Sequence, residues 1–303
     1  MRIVKKKAFE KLNRKEQSFV LQVVSILCIG AGVPWESLLS RFSDEIQIPE
    51  ARCFLGFQLM QKNIHMELCT VILDMLAVTE DQRDDLMEVI TQLPSFHKRM
   101  QWTLQNVVES KEPFAVRLAA FAVFLKVMQQ SIVAIVLHIA GKQIAERPAS
   151  VTTHYPLDGL VAAVVKMASD TNHYVDFLLV IQSHLNKKAP ADAVLELVES
   201  AVSIELELVT DVFKLSGGAI DFQSNQIPKE DIQQWVKFVG DEFLRCFDIQ
   251  PIFGVASDPL AWVSMLIERE SRKHDQHQPQ QAPVKSTQKP MNADQTFTIN
   301  EDF

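Results

Sequence analysis

The stretch ARCFLGFQLMQKNIHMELCTVILDM, residues 51–75, decides how this chain folds. It contains no proline and its apolar residues recur at a period near 3.6, so it reads as one long helix. Lys62, His65 and Cys69 stand at i, i+3 and i+7 and share one face of that helix. In helix bundles, an acid followed three residues later by a histidine supplies half of a carboxylate-bridged two-metal site. Here the histidine is present and lysine occupies the place of the acid.

The rest of the composition agrees with helices. The chain has 303 residues, 47% hydrophobic, with only nine glycines, and long segments run without breakers. An all-α protein of one large or two smaller domains follows. A net charge of −8 gives no electrostatic footprint for nucleic acid. The basic start at 2–7 is not followed by an apolar run long enough for a signal peptide. The apolar windows 19–33 and 132–140 are too short to span a bilayer, so they read as buried helices and no membrane is expected. Cys28, Cys53, Cys69 and Cys246 are far apart, without CxxC or zinc spacing, and read as free thiols of a cytoplasmic protein.

Outward from the long helix, residues 11–39 read as a first helix interrupted near Gly30, Gly32 and Pro34. Residues 43–50 form a polar joint, with Pro49 suited to the first turn of the next helix. Thr79 caps a helix that opens with acids and runs from 81 to about 91. Helices over 96–108, 114–141, 157–185, 193–213 and from Pro228 to about 247 follow, with a polar loop at 147–156. A short helix after Pro259 is expected to end near 270. Residues 271–296, rich in Gln, Pro, Lys and His, read as a disordered linker. The last seven residues, Phe297, Thr298, Ile299, Asn300, Glu301, Asp302 and Phe303, mix apolar and acidic groups. Composition alone leaves open a frayed terminus or a docking peptide on a tether. The division is thus a bundle over 1–270, a linker over 271–296 and a terminal peptide over 297–303.

Several segments point to one family. EARCFLGFQ (50–58) with NIHMEL (63–68), then AVSIELELVT (201–210), QWVKFVGDEFL (234–244), Asp258-Pro259 and FTINEDF (297–303) stand in the same order as in the small subunit of class I ribonucleotide reductase, which the chain closely resembles. The resemblance begins near residue 12, without the family's preceding segment and its electron-transfer tryptophan. It implies a ferritin-like helical bundle, a dimer, and a place in deoxyribonucleotide biosynthesis and DNA replication. It also implies a di-iron cluster, a tyrosyl radical, and a C-terminal peptide that docks on the large, substrate-binding subunit.

The family's functional residues do not all carry over. Its first metal-ligand aspartate falls on Ala31, and the acid of its first Glu-x-x-His falls on Lys62, with His65 kept. The radical tyrosine falls on Cys69, and the third helix's glutamate on Leu125. The second Glu-x-x-His becomes Asp170, one methylene shorter, with His173 kept. The relay acid before it is Ser169. The tail tyrosine has no counterpart, since Tyr155 and Tyr174 are the only tyrosines.

Two hard, highly charged cations need several anionic oxygens, and of the family's four carboxylates only Asp170 remains. Lys62 puts a cation where a cation would bind. At 4 Å and an effective dielectric of 20, such repulsion is about 4 kcal/mol per unit pair. The resemblance with these replacements implies a pseudoenzyme with no catalytic residue and no metal cofactor, in which Lys62 pairs with Asp170. The alternative is a single metal on His65, Asp170 and His173 in an oxidoreductase with an altered centre. The expected partners are the large subunit and a second small subunit, either its own copy or a competent one.

Overall fold

The computed structural model describes residues 9–10, 12–29, 35–76, 79–145, 157–217, 221–222 and 225–276. Within them the helices are α1 Arg14–Ile29, α2 Trp35–Glu45, α3 Pro49–Met75, α4 Glu80–Thr91, α5 Pro94–Thr103, α6 Phe114–Lys126, α7 Gln130–Ala145, α8 Asp158–His184, α9 Ala191–Leu215, α10 Lys229–Arg245 and α11 Ala261–Gln276. The strands among the described residues are the two-residue pair Asp221–Phe222 and Asn225–Gln226, joined antiparallel. The all-α expectation holds.

The centre of the bundle is α6. Every residue from Ala115 to Leu125 is buried, as an apolar helix without a polar face requires. It packs on α8 and α9, while α8 also receives α3, α7 and α11, and α9 packs on α10. The run Phe114–Ile139 is long and apolar enough to cross a membrane, and 89% of its most apolar window is buried inside the protein, which accounts for its composition. The buried positions of α3 are Ala51, Leu55, Gln58, Lys62, His65, Cys69 and Ile72. They alternate in steps of four and three, the seam of a packed helix, with its polar members in the middle.

Local signals set the boundaries. Pro49 sits in the first turn of α3, where its missing N–H is no loss. Thr79 and Gln82 form the reciprocal capping box of α4, the Gln82 N–H donating to Thr79 Oγ1 at 3.3 Å and the Thr79 N–H to Gln82 Oε1 at 3.1 Å. At Gly240 of α10 an added Cβ would lie 2.8 Å from Val202 Cγ2, so glycine lets α10 approach α9. The buried Asp241 accepts from the N–H groups of Ile252, Phe253 and Val255, pinning the loop before α11.

Four boundaries differ from expectation. Helix α2 continues to Glu45 rather than stopping at 39, because its polar end finds partners. Arg41 donates to the carbonyls of Val107, Val108 and Ser110, and Glu45 accepts from both terminal nitrogens of Arg117. Those carbonyls close the π turn Leu104–Val108, into which the helix expected over 96–108 widens. The helix expected over 114–141 breaks at 127–129, where the Gln130 N–H bonds three residues back to Val127 at 3.3 Å. Finally, α11 extends to Gln276, six residues into the stretch expected to be disordered, with Ser271 Oγ 2.8 Å from Ser169 Oγ. Ala31, the rest of the expected linker and the peptide 297–303 lie outside the described residues.

Candidate functional site

Helices α1, α2, α3, α6, α7 and α8 all contribute to a cavity of about 70 Å3, lined among others by Cys28, Trp35, Lys62, His65, Cys69 and Leu125. Four of the seven positions carried over from the family's metal centre and radical tyrosine are therefore brought together: Lys62, His65, Cys69 and Leu125. Asp170 is next to them, while His173 is one turn further along α8 and partly buried.

The bonding differs from the pairing expected. His65 Nε2 lies 3.0 Å from Asp170 Oδ2, and Lys166, four residues before Asp170 on the same helix, bonds the other carboxylate oxygen. Burial pushes the Asp170 pKa up, but hydrogen bonds from His65 and Lys166 and their charges outweigh it and hold the carboxyl below its usual range. With both oxygens engaged, no Lys62–Asp170 ion pair forms among the described residues. Lys62 Nζ is instead 3.4 Å from Thr171 Oγ1 and lies 4.6 Å from the centre of the Trp35 ring and 5.3 Å from that of Tyr174. Ring faces attract a cation, more strongly when water is excluded. Burial still dominates and lowers the Lys62 pKa from 10.5 to about 8, against the opposing charges of Asp170 and Cys69.

This donor set does not fit a pair of iron or manganese ions. His65 and Asp170 are bonded to each other, Leu125 is fully buried hydrocarbon, and Lys62 brings positive charge into the cavity. The single-metal alternative gains no support either. Among the described residues, no three His, Cys, Asp or Glu side chains are grouped so as to hold a metal ion. Ser169, at the position of the relay acid, is buried and occupied with Ser271.

Sequence reading missed Lys166, Thr171, Trp35 and Cys28 as neighbours of this site. Lys166 was detectable, because a lysine four residues before an acid on one helix is a recognised pairing distance. Trp35 and Cys28 come from α2 and α1, and their approach depends on tertiary packing that no spacing encodes.

A second buried polar cluster lies deeper. Arg99 Nη1 of α5 is 3.7 Å from Glu205 Oε1 of α9, both side chains almost completely buried, and Ser131 of α7 donates to the other Glu205 oxygen. Burial raises the Glu205 pKa from 4.5 to about 7, with Arg99 and Ser131 opposing the rise. The cluster joins three helices and was legible only as an ordinary helix segment around Ile204.

Comparison with known proteins places this sequence. The family model for the ribonucleotide reductase small chain matches residues 6–259. The ribonucleoside-diphosphate reductase small chain of Neurospora crassa is 28% identical over 245 residues, which is 80% of this protein and 55% of that one. A small chain of the same enzyme from Arabidopsis thaliana is 26% identical over 298 residues, 97% of this protein and 81% of that one. The sequence thus spans about half the length of the first relative and four-fifths of the second. Among solved structures, the ribonucleotide reductase Rnr4 homodimer from Saccharomyces cerevisiae matches with a TM-score of 0.69 at 21% identity, covering 82% of this protein and 73% of that one. The dimanganese(II) NrdF of Streptococcus sanguinis matches with a TM-score of 0.67 at 13% identity, covering 88% and 86%. The architecture is the ferritin-like bundle of those proteins.

Proposed function

Because the chain belongs to the ribonucleotide reductase small-chain family, we propose that it serves deoxyribonucleotide synthesis as a binding subunit and not as a source of the radical. The observation that carries this reading is the Lys62 ammonium lodged in the cavity where the family places a metal-binding acid. The mutual bond of His65 and Asp170 supports it, since each would have to give up the other to bind a metal.

The partners are the large subunit and a second small-subunit chain. The peptide Phe297 to Phe303 would dock on the large subunit, its two phenylalanines filling apolar pockets and its acids setting orientation. For the second chain, α3 carries Phe57, Met60 and Ile64, each about half exposed, at i, i+3 and i+7. An apolar stripe of this kind on a helix marks a protein contact, and the Saccharomyces cerevisiae relative is described as a homodimer. Pairing with a competent small subunit would add a second docking peptide and raise the effective concentration of the assembly. The role is a cytoplasmic one.

Immobilised large subunit should retain the full chain, and a synthetic peptide of residues 297–303 should displace it. Retention unaffected by excess peptide would remove the docking role from the tail. Phe57→Glu with Ile64→Glu should leave the fold intact and shift the protein to a monomer. An unchanged sedimentation profile would remove α3 from the interface.

A further inference from the structure

Cys28, near the end of α1, and Cys69, on α3, line the same cavity of about 70 Å3, and α1 packs directly against α3. Two cysteines on packed helices that face one such space are placed for a cross-link between those helices. The environment also sorts the roles. The neighbouring Cys69 first and burial second push the Cys28 thiol up, so it holds its proton. Cys69 goes the other way, its pKa lowered first by the neighbouring Cys28 and further by the Lys62 ammonium, against the effect of burial. Cys53 and Cys246, by contrast, are exposed.

We propose that Cys28 and Cys69 are a reversible disulfide pair, closed by a peroxide oxidant and opened by cellular thiols, that ties α1 to α3 across the cavity. The Cys69 thiolate attacks hydrogen peroxide. An S–O bond forms, the O–O bond breaks, and hydroxide leaves to become water, so Cys69 becomes a sulfenic acid. The Cys28 sulfur then gives up its proton and attacks the Cys69 sulfur. The S–S bond forms, the S–O bond breaks, and a second water leaves. Two thiols lose two electrons and two protons, and one peroxide becomes two waters. A thiol donor reverses the step by exchange. This assignment concerns the α1–α3 contact and does not depend on docking to the large subunit.

The test uses the full chain with Cys53→Ser and Cys246→Ser, treated with hydrogen peroxide in the folded state. Alkylatable thiols should fall from two to none, with a single 28–69 cross-linked peptide in the unreduced digest, and dithiothreitol should restore both. Adding Cys28→Ser should leave Cys69 trapped as its dimedone adduct. If the double variant fails to fold, mapping the oxidised unmutated protein decides the matter by whether 28–69 is its intramolecular link. Two thiols still alkylatable after peroxide, or a link that joins separate chains, would overturn the proposal.

Discussion

His65 Nε2 and Asp170 Oδ2 stand 3.0 Å apart, joining α3 to α8 through two of the three positions that keep metal-ligand side chains. What remains of the donor set has turned inward and become a structural cross-link between helices. Lys166 completes it and Lys62 is left to Thr171 and the two rings.

Asp170→Ala should therefore destabilise the fold. It leaves a buried histidine nitrogen without its partner and frees Lys166, a loss of about 1–3 kcal/mol. Urea titration measures it. Because the folded-state pKa of Asp170 is depressed, its contribution is present above the ordinary carboxylate range and is lost as pH falls through the folded value. The gap between Asp170→Ala and the unmutated protein should accordingly narrow in acid.

Lys62→Met should be tolerated or stabilising. The lowered pKa says that burial of the ammonium costs more than its neighbours return. Thr171 keeps its bond to the Met167 carbonyl at 2.8 Å, and Asp170 keeps His65 and Lys166. A gain of about 1–3 kcal/mol at pH 7 is expected. Between pH 8 and 10.5 the unfolded state holds this proton and the folded state releases it, so the unmutated protein gains stability as pH rises. The advantage of Lys62→Met should shrink over that window in thermal melts. A loss of about 3 kcal/mol at pH 7, the order expected for breaking a buried ion pair, would mean that Lys62 does pair with Asp170.

Glu205 gives the opposite slope. Its pKa is raised from 4.5 to about 7, so the folded state holds the proton more tightly and stability falls as pH rises through that window. Glu205→Gln, which keeps an acceptor for Ser131, should flatten the pH dependence there. Denaturant midpoints at pH 5 and 7.5 would show it.

Gly240→Ala should cost about 1–3 kcal/mol through overpacking. The new Cβ would meet Val202 at 2.8 Å and Phe253 at 3.0 Å, forcing α10 away from α9. Gly56, with nothing within 4 Å of the added atom, is the matched control.

Helix periodicity carried most of this fold in plain view. The four-three stripe of α3 and the capping box at Thr79 follow from residue types at fixed spacing. The π turn after α5 did not, since it depends on a partner from elsewhere, Arg41, and neither did the break at 127–129, where no proline or glycine marks it. At the site, the replacement of acids by Lys62 and Leu125 was readable because a family pattern supplied the missing residues. The partner of Asp170 was not read correctly, because the contact across helices was preferred over Lys166 one turn away. Ala31 and the docking peptide belong to residues the structure does not describe.

The most direct test of the central claim is the metal content and electron paramagnetic resonance spectrum of the full chain following anaerobic ferrous loading and exposure to oxygen. The expected result is substoichiometric iron and no radical signal. Two irons per chain with a tyrosyl-like signal would contradict it.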